Sequence, residues 1–94
     1  VYTIHETKEF KKSYQRLKQG GVSSSGLKKL REVVELLASG AILSMNYRDH
    51  ALQGKMKGVR ECHIQGDLLL VYKIEQDVLV LALLDIGSHA YLFG

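Results

Sequence analysis

"VRECHIQGDLLLVYKIEQDVLVLALLDI", residues 59–86, decides the fold. Two polar breaks divide it into three apolar runs. Gln65-Gly66-Asp67 reads as a hairpin turn, because Gly and Asp tolerate positive φ at little cost. Gln76-Asp77 makes the second break. Residues 59–64, "LLLVYKI" and "VLVLALLDI" then read as three strands. Sequential hairpins set such neighbours antiparallel. The near-continuous apolar content of the last two predicts central strands with a layer of helices over one face.

Upstream, residues 41–58 carry no hydrophobic period and read as a loop. Before them, Leu27, Leu30, Val33, Val34 and Leu37 form one helical stripe. Lys28, Lys29, Arg31, Glu32 and Glu35 fill its outer face, and Gly40 is a natural stop. Earlier still, Phe10, Tyr14 and Leu17 recur at i, i+4 and i+7. Thr7 caps a helix from Lys8, with Glu9 in the first turn where the helix dipole favours an acid. Gly20-Gly21 ends that helix, and the short "VSSSG" connection predicts an antiparallel helix pair. "VYTIH" alternates, as in a short strand with Tyr2 and Ile4 on one face. Downstream, Gly87-Ser88 breaks the last strand, and "HAYLFG" follows as a short turn or tail. The expected fold is one α+β domain over residues 1–94, in the order β-α-α-β-β-β. It is a small twisted antiparallel sheet with an N-terminal helical hairpin on one face. The other face, or one end, is left for function.

Ninety-four residues make one domain able to bury one core. The lone cysteine, Cys62, allows no internal disulfide, which fits a reducing compartment and predicts a cytoplasmic protein. The longest apolar run is broken by Lys73, Glu75, Gln76 and Asp77, so no segment reads as a membrane span and no membrane partner is expected. The net charge is +3 and unevenly spread. Residues 1–39 hold eight Lys or Arg against four acids, and residues 47–60 hold Arg48, Lys55, Lys57 and Arg60 against Asp49 alone. From Glu61 onward there are five acids and only Lys73. A polyanion is drawn to the helical half and the central loop.

The polar residues that interrupt this scheme are the candidate chemistry. His50 lies in the basic loop, His63 on the first strand of the hairpin, Asp67 in its turn, and His89 after the last strand. A three-strand meander can bring the ends of its first and third strands together, with the loop folded over the same region. Imidazoles titrate near neutrality and serve as base or acid. RNA brings its own nucleophile, the 2′-OH, and asks for a base, an acid and cations around the phosphate. A metal site is the rival chemistry for three histidines and an aspartate. Positions 50, 63, 67 and 89 contain no short chelating pair, so neither metal nor cofactor is expected. His5 reads as structural or surface, and Cys62 as a buried small residue. Walker, dinucleotide-binding and nucleophile-elbow signatures are absent.

Four blocks then form a pattern: Asp49-His50 with Leu52 and Gly54; Gly58, Arg60 and His63; Asp67 with Leu70, Tyr72 and Lys73; and Gly87-Ser88-His89 with Leu92 and Phe93. Together they resemble the YafQ-like branch of the RelE/ParE superfamily of bacterial toxins. The match covers residues 47–94, and the helical half fits by pattern only. The resemblance implies a RelE-like α+β fold and a type II toxin that acts as an mRNA endoribonuclease in the A site of the 70S ribosome. It implies a cognate antitoxin with a ribbon-helix-helix or similar DNA-binding end, and contact with operator DNA only through that complex. Carried over, His50, His63, Asp67 and His89 form the catalytic set, with His50 as base and His89, helped by Asp67, as acid. Phe93 helps to place the nucleotide, while Lys55, Lys57 and Arg60 hold RNA phosphates, all three assigned more on charge than on motif. Leu68 stands where relatives often carry Trp, which puts base stacking at that position in question. ParE-type relatives act on DNA gyrase and lack this histidine set. A gyrase-directed or purely antitoxin-binding toxin is the alternative.

Overall fold

The chain runs β1 (Thr3–Glu6), α1 (Lys8–Gln19), α2 (Ser24–Ala38), a 3₁₀ turn (Met45–Tyr47), β2 (His50–Ala51), β3 (Val59–Gln65), β4 (Leu68–Glu75), β5 (Val80–Gly87) and α3 (His89–Phe93) in a computed structural model that describes residues 1–54 and 57–94. α1 begins where its Thr7 cap predicts, and α2 begins at Ser24, inside the stretch read as a connection. The Thr7 Oγ1 accepts the Phe10 N–H at 3.2 Å and donates to the Leu83 carbonyl at 2.9 Å. One side chain thereby starts α1 and fastens it to β5. Ser23 accepts the Gly26 N–H at 3.1 Å to start α2. Gly40, at φ 86°, lets the chain turn back so that the Ala41 N–H reaches the Leu36 carbonyl at 3.1 Å.

The five strands lie in the order β1-β5-β4-β3-β2. Both hairpins of residues 59–86 pair antiparallel as expected. Phe10, Leu30, Val33 and Leu37 from the helices meet Cys62, Ile64, Leu68, Leu70, Tyr72, Leu81, Leu83 and Ile86 from the sheet in one buried cluster. Burying each large apolar side chain contributes about 1.5–3 kcal/mol. Alternation puts Glu61 and His63 on the opposite face of β3, with Leu69 and Val71 beside them on β4. Opposite Val71 and Tyr72 the register of β5 slips by one residue, passing over Leu84. The slip is a bulge, and it explains why "LALLDI" does not alternate cleanly while Leu81, Leu83 and Ile86 all reach the same core.

Four features correct the expected order. β1 pairs parallel with β5, from Thr3 opposite Val80 to Glu6 opposite Leu83, so the sheet is mixed. Alternation identifies a strand but carries no information about its partner or direction. Residues 41–58 are not wholly loop, since they contain the 3₁₀ turn and the two-residue β2. "HAYLFG" is a short helix capped by Ser88, whose Oγ accepts the Tyr91 N–H at 3.1 Å. The helices lie side by side over one face, α1 against β5 and α2 against β3, instead of closing into a tight hairpin. A cleft of about 270 Å³ lies between them, with Phe10, Tyr14, Leu27 and Leu30 among its walls.

The turn joining β4 and β5 ends at Leu79, a half-exposed leucine held at φ 54°. Left-handed backbone costs a non-glycine residue roughly 1–2 kcal/mol, and Asn tolerates it better. Leu79→Asn is therefore expected to raise unfolding free energy by roughly 0.5–1 kcal/mol, read from urea melts. A loss of stability would mean that the Leu79 side chain contributes more than its backbone strain costs.

Candidate active site

β2 is short, but its register places the first candidate base. His50 pairs with Glu61 and Ala51 with Arg60. Paired residues share a face, so His50 stands over Glu61, and His63, two residues on, stands beside it. The His50 Nε2 lies 3.6 Å, and the His63 Nε2 3.7 Å, from the same Glu61 Oε1. Glu61 is buried, with 4% of its surface exposed, whereas both imidazoles reach solvent. Both separations exceed hydrogen-bond length, so the two imidazoles face the carboxylate as Coulomb neighbours that attract it when charged.

The His50 tautomer follows from its other nitrogen. Nδ1 lies 2.7 Å from the Arg48 carbonyl, which can only accept, so Nδ1 carries the hydrogen. In the neutral ring, Nε2 then holds the free electron pair. Arg48 turns its carbonyl this way at φ 49°, a left-handed conformation rare for arginine.

Asp49 turns the other way, into the protein. It accepts a 2.6 Å hydrogen bond from the Tyr72 hydroxyl and a 3.2 Å bond from the Arg60 Nε. Tyr72 is a core residue, 1% exposed. Burial, reinforced by the bond to Asp49, raises its phenol well above the ordinary value of 10.0. The same carboxylate raises the Arg60 guanidinium above its ordinary value. Arg60, expected to hold RNA, is thus tied at Nε to the loop that carries His50.

At the far end of β3, Gly66 takes φ 56° in the turn and Asp67 reaches across to α3. The Asp67 Oδ1 accepts the His89 backbone N–H at 3.1 Å. The expected help from Asp67 is given to the backbone of His89, not to its imidazole. His89 and Phe93, four apart, lie on one side of α3 with ring centroids 5.2 Å apart. His63, Leu69 and Gly87 form one register row across β3, β4 and β5. Two strand spacings, roughly 10 Å, therefore separate the His63 backbone from the strand that leads into α3. The four sequence candidates form two groups on neighbouring ground, His50 with His63 and Asp67 with His89. A polar cleft of about 260 Å³, lined by Asn46, Arg48, His63, Ile64, Gln65 and Gly66, opens beside the first group. Lys57 is exposed, and Lys55 lies outside the described residues.

A family model described as "Bacterial toxin of type II toxin-antitoxin system, YafQ" matches residues 2–94. The chain belongs to this family. It is 38% identical over 69 residues to the mRNA interferase toxin YafQ of Escherichia coli K12, covering 72% of this chain and 73% of that one. It is 50% identical over 54 residues to a putative toxin YafQ of Haemophilus influenzae, a match spanning about half of each, 53%. Among solved structures, a metal-bound toxin from Helicobacter pylori superposes with TM-score 0.88 at 42% identity, covering 99% of this chain and all of that one. YafQ in the E. coli DinJ–YafQ complex superposes with TM-score 0.87 at 29% identity over the whole of both chains. In this family member, no group of three or more His, Cys, Asp or Glu among the described residues is placed to hold a metal ion.

Two site residues escaped the sequence reading. Glu61 was counted only as one of five late acids, although period-two spacing from His63 already put both on one face. Arg48 was one cation of a basic loop, and nothing local announced its left-handed backbone. Leu68 resolves differently from the expectation. Its side chain points into the helix-covered core, 3.7 Å from where a Cβ on Gly26 would lie, and away from the histidine face. In this chain position 68 belongs to the core.

Cys62 sits on β3 between Glu61 and His63, and it faces the core. Burial, with lesser help from the charges of Asp49 and Glu61, pushes its thiol from 9.0 up to about 12. The folded chain therefore keeps a proton that the unfolded chain releases above pH 9. This group's contribution to stability is complete below pH 9 and falls as pH rises toward 12, by at most about 1.4 kcal/mol per pH unit. Tyr72 acts in the same direction from a higher starting value. Urea midpoints at pH 8 and pH 10.5 should fall less for Cys62→Ala than for the parent. Equal falls would show that the thiol contributes nothing to alkaline unfolding.

Proposed function

We propose that this chain is the toxin of a type II toxin–antitoxin pair and an endoribonuclease that cleaves mRNA in the ribosomal A site. The observation that carries the reading is the convergence of His50 and His63 on the buried Glu61; His89, tied to Asp67 through its backbone, forms the second group at the end of the sheet. The relatives named mRNA interferase support the substrate class. The site is open and lies on shallow ground, so RNA needs an external frame to present one phosphodiester bond. The ribosome supplies such a frame.

The chemistry divides among the groups as follows. His50, with its free Nε2, takes the proton from the 2′-OH. The 2′-oxygen attacks the adjacent phosphorus, and the P–O5′ bond breaks. His89 delivers a proton to the departing O5′, leaving a 2′,3′-cyclic phosphate and a 5′-hydroxyl. His63 and Glu61 balance charge as the proton moves. Arg48 and Lys57, with Lys55 and the outer edge of Arg60, neutralise phosphate oxygens. Phe93, against His89, stacks on a neighbouring nucleotide. No metal enters this scheme. A cognate antitoxin is the expected partner, as DinJ is for YafQ of E. coli. It would bring the toxin to operator DNA, and the setting is the cytoplasm.

The test is a cell-free translation reaction with a defined mRNA, with and without ribosomes, in which RNA 5′ ends are mapped by primer extension. Cuts in register with codons are expected only with ribosomes. His50→Ala and His89→Ala should each lower the cleavage rate about 10²–10⁴-fold. Glu61→Gln removes a counter-charge but no proton carrier, so it should cost less than either. Intact mRNA with normal protein output would end this reading and turn attention to gyrase inhibition and to antitoxin pairing alone.

A further inference from the structure

α3 spans five residues, His89–Phe93. A helix this short has no stability of its own, so its orientation comes from outside contacts. His89 and Phe93 share one side. Tyr91, two residues from each, lies about 200° round the helix and faces away from them. Its surroundings are unusually well built for a side chain that is 45% exposed.

Three features converge on Tyr91. The Tyr91 hydroxyl lies 2.9 Å from the Ser13 Oγ, and that oxygen donates to the Asp85 Oδ1 at 2.6 Å. The single Ser13 hydrogen is committed to the carboxylate, so the phenol must be the donor to Ser13. Asp85 is anchored in turn, because its Oδ1 also accepts the Ile86 N–H at 2.9 Å. Ser13 is buried, with 2% of its surface exposed, so the chain of donors ends inside the protein, on α1 and β5. The Arg16 guanidinium lies 3.8 Å from the centre of the Tyr91 ring. Finally, a Cβ on Gly87 would come within 2.5 Å of that ring. The tyrosine fills the space the glycine leaves.

We propose that Tyr91, with Ser13, Asp85, Arg16 and Gly87, is a positioning clamp that sets the orientation of α3 and thereby the placement of His89 and Phe93 against RNA. Asp67 and Ser88 hold the start of the helix, and the clamp holds its back. Tyr91 touches no substrate in this arrangement and acts through His89. The proposal rests on the endoribonuclease reading for its effect on rate, but the clamp itself can be tested without it.

Two variants probe different parts of the clamp. Tyr91→Phe keeps the ring and the arginine contact and removes the donor. Gly87→Ala keeps the tyrosine and forces its ring to move. Ribosome-dependent cleavage rates, amide exchange across residues 89–94 and the NMR signals of the His89 imidazole are measured on the purified chain. Both variants should lower kcat about 10- to 100-fold, as misplaced catalytic groups do, with KM within about twofold. Both should also speed exchange in α3 about tenfold or more and shift the His89 signals. Unchanged kcat and unchanged exchange in Tyr91→Phe would overturn the clamp. So would a loss confined to KM, which would make Tyr91 a substrate contact. A lower melting temperature with α3 exchange and His89 signals as in the parent would reduce the network to ordinary structure and also reject it. If the parent cleaves no mRNA, the endoribonuclease reading fails separately, and exchange with the His89 signals alone decides the clamp.

Discussion

A buried phenol needs a hydrogen-bond partner, and in this protein that requirement organises the active side of the sheet. Tyr72 lies in the middle of the core, and its hydroxyl ends at Asp49, in a segment that otherwise has little reason to be ordered. The bond brings the loop back to the sheet, where Arg60 completes the carboxylate's partners. Once Asp49 is fixed, the next residue has little freedom. His50 falls into register opposite Glu61, and its ring is turned by the Arg48 carbonyl. A histidine on an exposed two-residue strand thus inherits its position from the hydrophobic core.

Glu61 works in the opposite sense, because it imports a cost. Removing a carboxylate from water is unfavourable, and an apolar residue there would serve the fold as well or better. Glu61 stands on the face shared with His50 and His63, where the proposed mechanism uses its charge. The same division recurs at α3. Asp67 satisfies the backbone at the front of the helix, leaving the His89 ring uncommitted to it. Structural acids pin backbone and core groups, while the acid that faces the imidazoles is the buried one.

Much of this was legible in the sequence because it is local. Caps at Thr7, the stop at Gly40 and the turn at Gly66-Asp67 depend on near neighbours, and each was found where the residues announced it. The apolar periods of α1, α2 and the last three strands gave the core. What escaped depends on distant partners. The parallel pairing of β1 with β5 has no local signature. β2 exists because Asp49 is held by Tyr72, more than twenty residues away, and α3 because Asp67, Ser13 and Asp85 receive it. The histidines were recognisable by their blocks, but their grouping into two pairs, and the part of Glu61 in one of them, required the register of the sheet.

The parallel edge also bears on when the chain can acquire its shape. Among the described residues, β1 at residues 3–6 pairs with residues 80–83, more than seventy positions later. During synthesis, residues 3–6 must wait for residues 80–83 before their ladder can form, and contacts this remote in sequence form late. The same last stretch carries β5 and then α3, with His89 and Phe93. A chain ended before residue 80 therefore lacks the closing strand and half of the proposed catalytic set together. The ladder that closes the sheet and the helix that carries His89 and Phe93 are thus made together, and late relative to residues 3–6.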